Sequence, residues 1–213
     1  SLDRRQRQMC IRDRYGHSMA YDSARQVIVL FGGDSNTTSP GGALGDTWEW
    51  DGISWSQQSP ANAPPPRYVG AMVYDEARNV CVLFGGRSTP TSTLANTWEY
   101  DGASWTQVSP AVAPSPRRHH NMAYDSQRQR VVLFGGWSGS SNLGDTWEWD
   151  GSQWVQMTTT SAPSPRCYAG MSYDPIRGEV LLFGGGNGAN ASAYGDTWTF
   201  DGVSWNQRLP SVS

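Results

Sequence analysis

The sequence predicts an all-β protein made of four equivalent units, each of four short strands. Three observations carry this expectation. One segment recurs four times along the chain. Glycine (24), proline (13) and tryptophan (11) are abundant in 213 residues while charged residues make up only 16%, a balance that favours short strands and tight turns over long helices. The apolar runs, finally, are short and are ended by turn residues.

The repeat is the main fact. RYGHSMAYDSARQVIVLFGG at 14–33 returns as RYVGAMVYDEARNVCVLFGG at 67–86, RRHHNMAYDSQRQRVVLFGG at 117–136 and RCYAGMSYDPIRGEVLLFGG at 166–185. A second half follows each copy: GDTWEWDGISWSQ, ANTWEYDGASWTQ, GDTWEWDGSQWVQ and GDTWTFDGVSWNQ. The starting residues Arg14, Arg67, Arg117 and Arg166 are 53, 50 and 49 positions apart.

Within a unit the first strand is HSMAY, closed by a YDxxR turn in which Asp22 can bond its own backbone. QVIVLF comes next and is apolar throughout, as a strand covered on both faces should be. The pair Gly32 and Gly33 then marks positive φ or a close backbone approach. DTWEW forms strand three, and Asp51-Gly52 turns the chain into the outer strand SWSQ. The tryptophans that return in every unit are read as packing residues, each worth ~4–6 kcal/mol gross when buried. Glu49, Glu99 and Glu148, with arginines such as Arg14 and Arg25, are read as structural ion pairs, and Thr199 stands in the fourth copy.

These residues resemble the kelch family, whose repeat carries a glycine doublet, a downstream aromatic residue and a tryptophan some six residues later. The resemblance covers about 200 of the 213 residues. It implies a β-propeller of four four-stranded blades over 14–213 (approximately 14–60, 67–110, 117–160 and 166–210), either a closed four-blade ring or a partial arc of a larger propeller. An arc would expose the apolar faces of its terminal blades and favour self-association. Residues 1–13 fall outside the repeat and are read as a non-native or disordered leader. The chain also resembles the propeller domain of galactose oxidase, which implies a copper enzyme as the alternative function, with its ligands outside this chain.

Composition narrows the function classes. A net charge of −3 and the lack of a basic cluster in the repeats argue against nucleic acid. All sixteen basic residues are arginine, attributed to a GC-rich, bacterial source. Cys10, Cys81 and Cys167 have neither disulfide-framework nor zinc spacing. No apolar stretch is long enough to span a membrane.

Catalytic and metal-binding residues are not predicted, and no cofactor is expected. His119 and His120 are expected on one strand with side chains on opposite faces, unsuited to one shared metal; His17 and His120 hold the same repeat position as Gly70 and Ala169. The acidic residues recur at turns. Variation is confined to the loops after the doublet, of 12, 9, 8 and 10 residues, which share one face with the proline-containing linkers. Loops on a rigid scaffold carry recognition. The binding candidates are therefore Asp34, Asn36, Arg87, Trp137, Asn187 and Tyr194, for an unidentified protein or glycan partner, in an extracellular or cell-surface protein.

Overall fold

In the computed structural model, residues 13–35, 42–188 and 192–209 are described. The expected leader, apart from Asp13, lies outside them. Blade 1 is the sheet β1 (Ser18–Asp22), β2 (Val27–Asp34), β3 (Ala43–Trp50) and β4 (Trp55–Gln58). Blade 2 comprises β5 (Ala71–Asp75), β6 (Val80–Phe84), β9 (Thr97–Tyr100) and β10 (Trp105–Val108), with the small ladder β7 (Arg87–Thr89) and β8 (Ser92–Thr93) in its loop. Blade 3 is β11 (Asn121–Asp125), β12 (Arg130–Trp137), β13 (Asn142–Trp149) and β14 (Trp154–Met157). Blade 4 is β15 (Gly170–Asp174), β16 (Glu179–Phe183), β19 (Thr197–Phe200) and β20 (Trp205–Arg208), with β17 (Gly186–Asn187) and β18 (Ser192–Ala193) in its loop. All pairings are antiparallel.

The predicted turn chemistry is present. Asp22 Oδ1 accepts from the Arg25 backbone N–H at 3.0 Å, and Asp51 Oδ1 accepts from Ile53 and Ser54 at 2.8 and 2.7 Å. The second glycine-doublet strand runs on through a bulge in blades 1 and 3. It stops at Phe84 and Phe183 in the other two. The doublet must be glycine because the next blade's arginine lies against it. Gly85 has φ +64°, and a Cβ there would lie 2.6 Å from the Arg117 carbonyl oxygen.

The initial arginine of the second, third and fourth units is an inter-blade staple. Gly33 N–H donates to Arg67 O, Gly86 N–H to Arg117 O and Gly136 N–H to Arg166 O, at 2.8–2.9 Å. Each buried guanidinium then turns into its own blade: Arg117 reaches Gly135 O at 3.0 Å and both Asp145 oxygens at 2.7 Å. Arg14 likewise pairs with Asp46, not with a member of the glutamate series. The glutamates pair with the turn arginines instead, Arg25 with Glu49, Arg78 with Glu99 and Arg128 with Glu148.

The blades stack through mixed cores. The trailing face of each blade, Val29 and Phe31 in blade 1, packs on the leading face of the next, which presents Met72, Tyr74, Cys81, Leu83, Trp98, Tyr100 and Trp105. The same arrangement joins blades 2 and 3 and blades 3 and 4. The inner strands pack in the order β1, β5, β11, β15, and among the described residues no comparable packing joins β15 back to β1. The blades thus form an arc. Phe183 is 54% exposed, whereas its counterparts Phe31, Phe84 and Phe134 are buried. At the other end Trp50 and Trp55 are only partly buried, while Tyr100, Trp105, Trp149 and Trp154 are buried.

Candidate ligand-binding face

The loops that follow the doublets are anchored by one recurring bridge. The residue after each doublet pairs through its backbone with the residue after the staple arginine: Asp34 with Tyr15, Arg87 with Tyr68, Trp137 with Arg118 and Gly186 with Cys167. Two variable positions of each unit are thereby set side by side at the start of its loop. Beyond them, Val69 N–H donates to Gly16 O, His119 N–H to Val69 O and Tyr168 N–H to His119 O, so these residues step from blade to blade. Val69, His119 and Tyr168 all take left-handed φ, 54–61°. His119 therefore precedes the strand, which begins at Asn121, and the expected strand alternation between His119 and His120 does not apply.

Three predicted candidates converge. Trp137, Asn187 and Tyr194 line a cleft of about 410 Å³ with Ser140, Ser141, Asn142 and Pro165. Asn142 Nδ2 donates to Asn187 Oδ1 at 3.0 Å, tying blade 3's loop to blade 4's. Tyr194 is held by the Arg166 guanidinium, 4.3 Å above its ring. Asn187 and Tyr194 also line a second cleft, of about 640 Å³, with Tyr168 and Phe183.

Arg87 stands apart from that cleft, its guanidinium 4.4 Å over the Tyr68 ring, a favourable cation–π geometry. It is near enough to Arg118 to act on it: burial and then repulsion from Arg87 lower the Arg118 pKa. Among the described residues neither arginine forms an ion pair. His119, tilted against Tyr168 at 4.2 Å, is pulled down to about 4 by burial and by Arg118 and Arg87, and is neutral at pH 7. The binding candidate Asp34 is buried and accepts from Tyr15 Oη at 3.2 Å, so it orients Tyr15. Asn36 lies outside the described residues.

Tyr15, Tyr68, Arg118, Tyr168 and Asn142 were not singled out by the sequence. The usable signal was variation at the two positions directly after the constant arginine: Tyr-Gly, Tyr-Val, Arg-His and Cys-Tyr.

Chemically the face offers aromatic surfaces, amides and unpaired guanidinium groups. Among the described residues no three His, Cys, Asp or Glu side chains group as metal ligands. His17 lies by Gly33, His119 by Tyr168 and His120 by Phe84. Burial raises the thiol pKa of Cys81 to about 12 and raises that of Cys167 as well. Among the described residues no helix is long and apolar enough to cross a membrane.

Comparison with known proteins agrees with the repeat. Residues 46–211 match the family model of the KLHDC2/KLHL20/DRC7 Kelch-repeats domain. A search of curated protein sequences gives no match. With most of its length covered by that match and four four-stranded antiparallel sheets stacked as blades, the chain belongs to the kelch-repeat family.

Proposed function

We propose that the protein is a non-catalytic binding module whose loop face takes a protein partner. Kelch repeats form protein-interaction scaffolds, and the observation that carries the reading here is the meeting of variable residues on that face. Trp137, Asn187 and Tyr194 share a cleft, Arg118 forms the backbone bridge to Trp137, and Arg87 forms the corresponding bridge to Tyr68 in the preceding blade. Aromatic residues and arginine are the side chains that dominate binding energy at protein interfaces. The two guanidiniums favour a segment that carries carboxylates.

A glycan is the second reading, favoured by the pairing of Trp137 with the amides of Asn142 and Asn187 in one cleft. A surface or extracellular setting belongs to the same proposal. The exposed apolar faces of the terminal blades favour, separately, association between copies of the chain. The copper-enzyme alternative, whose ligands would lie outside this chain, gains no support from the family match.

A displayed random-peptide library and a glycan array, each probed with the purified chain, test the loop face. Enrichment lost in the combined variant Arg87→Ala, Trp137→Ala, Tyr194→Ala, with unchanged circular dichroism, supports it. Enrichment equal to that of the parent chain shows that the partner sits elsewhere. Signal on the glycan array alone selects the second reading.

A further inference from the structure

We propose that blade 2 binds a small monovalent anion of chloride size beside Asn96, where Arg67 Nη2 and Trp98 Nε1 meet. The site lies within the repeat array, at the junction of blades 1 and 2, and is independent of the loop-face reading.

In blades 1, 3 and 4 the initial arginine shares one carboxylate oxygen with an indole. Arg14 Nη2 donates to Asp46 Oδ2 at 2.9 Å, Arg117 Nη2 to Asp145 Oδ2 at 2.7 Å and Arg166 Nη2 to Asp196 Oδ2 at 2.9 Å. The same oxygens accept from Trp48, Trp147 and Trp198 Nε1 at 2.5, 2.6 and 2.7 Å. One carboxylate thus neutralises a buried cation and satisfies both donors.

Blade 2 keeps the donors and loses that oxygen. Asn96 stands in the aspartate's place, and an amide has a single acceptor oxygen. Arg67 Nη1 donates to Asn96 Oδ1 at 2.7 Å, as Arg117 Nη1 does to Asp145 Oδ1. Asn96 Nδ2 then falls where the other blades have Oδ2, so a donor faces two donors; turning the amide over changes which donor is served and adds no second oxygen. Another acceptor is missing too. Ser115 Oγ accepts from Arg117 Nη2 at 3.1 Å, and Pro65 holds the equivalent position before Arg67. The other bonds of Arg67 go to the carbonyl oxygens of Pro65 and Gly85 at 3.2 and 3.1 Å. Among the described residues Arg67 therefore has only neutral hydrogen-bond partners, and its Nη2 and Trp98 Nε1 have none. Arg67 is 2% exposed and Trp98 8%.

The ligand's class follows from this donor set. A water molecule can accept both bonds but leaves the buried charge uncompensated, whereas an anion does both. Burial pulls the Arg67 pKa down to about 10, the direction expected of a cation without a counter-ion. The equivalent arginine and indole donors converge on a single oxygen atom, so a monatomic ion meets both, and the further oxygens of sulfate or phosphate would find no donors. The place is reachable from solvent: the side chains of Asp46, Asp145 and Asp196 are 19–22% exposed, and Asn96 is half-buried.

Chlorine-35 line broadening and thermal unfolding, with sodium chloride exchanged for sodium gluconate at constant ionic strength, test the site in the parent chain, Asn96→Asp and Trp98→Phe. The parent is expected to broaden the chloride signal, to release it to bromide, and to melt about 3–6 °C higher when chloride is ten times its dissociation constant. Asn96→Asp carries its own carboxylate oxygen and should lose both effects; Trp98→Phe, one donor poorer, should bind chloride about tenfold more weakly. A parent chain that neither broadens the signal nor differs from Asn96→Asp in its response to chloride overturns the proposal and assigns the two donors to water. Broadening that persists undiminished in Asn96→Asp overturns it as well, by placing the ion elsewhere. Neither result touches partner binding at the loop face, which is read by its own variants.

Discussion

The indole nitrogen of Trp154 donates to Thr97 Oγ1 at 2.9 Å across the junction of blades 2 and 3, with both groups buried. Trp154→Phe keeps the ring against Phe84 but leaves the threonine without its donor. It is expected to cost about 1–3 kcal/mol, against about 3–5 kcal/mol for Trp154→Ala. Urea unfolding of both variants checks the order.

Blade 2 contains an internal substitution experiment. Asn96 stands where the other blades have Asp46, Asp145 and Asp196. Arg67 Nη1 donates a single side-chain bond to Asn96 Oδ1 at 2.7 Å, Arg67 Nη2 and Trp98 Nε1 have no partner among the described residues, and burial pulls the Arg67 pKa down to about 10. Asn96→Asp should supply a counter-ion to a charge that is already buried and stabilise the fold by about 1–3 kcal/mol. The Asp196 carboxylate, bonded by Arg166, is held at about 2. By the same logic the new aspartate would have a depressed pKa, so its contribution is present above about pH 4 and lost as pH falls toward 2. Thermal unfolding at pH 7 and pH 3 reads both parts.

His120 is buried against Phe84 with neither ring nitrogen partnered. Desolvation, then Arg117, lower its pKa to about 3. The folded state thus binds fewer protons than the unfolded one between about pH 6.5 and 3, and stability falls on acidification by roughly 1.4 kcal/mol per pH unit in that window. His120→Leu is expected to flatten that part of the profile, leaving the contributions of His119 and the carboxylates. Urea midpoints at pH 7 and pH 5 would show it.

Gln26 and Gln129 occupy left-handed turn positions, φ 58° and 56°, where blade 4 has Gly178 at 68°. Both are exposed. Replacing either by glycine should stabilise by about 1 kcal/mol, because the Cβ clash of the left-handed region is removed. A rise in melting temperature is the expected readout.

The blades, their strand order and their turns were legible because each copy restates the same local chemistry: Asp22 bonds its own turn, and Gly85 allows what a Cβ would forbid. The cross-blade bonds were less visible. Trp154 and Thr97 both recur in every unit, but their pairing runs from one copy to another over 57 positions, and a repeat read copy by copy does not show it. The site was half legible. Trp137, Asn187 and Tyr194 stand in obviously variable loops, whereas Tyr68 and Arg118 are hidden between the constant arginine and a constant strand. His119 was misplaced because its left-handed φ is imposed by the bond from its N–H to Val69 O of the neighbouring blade.

The bond from His119 to Val69, and its equivalents at Val69 and Tyr168, link only blades adjacent in the chain, as do the arginine staples and the indole–threonine pairs. Opening blade 1 or blade 4 therefore breaks one junction, while opening blade 2 or blade 3 breaks two. Amide exchange should then be graded by position along the chain, fastest in the strands of the end blades and slowest around Val82 and Val132. The arc would lose its structure from its ends inward, and any ligand that bridges the loops of blades 3 and 4 through Asn142 and Asn187 would act as a clasp on the last junction, slowing exchange there before anywhere else.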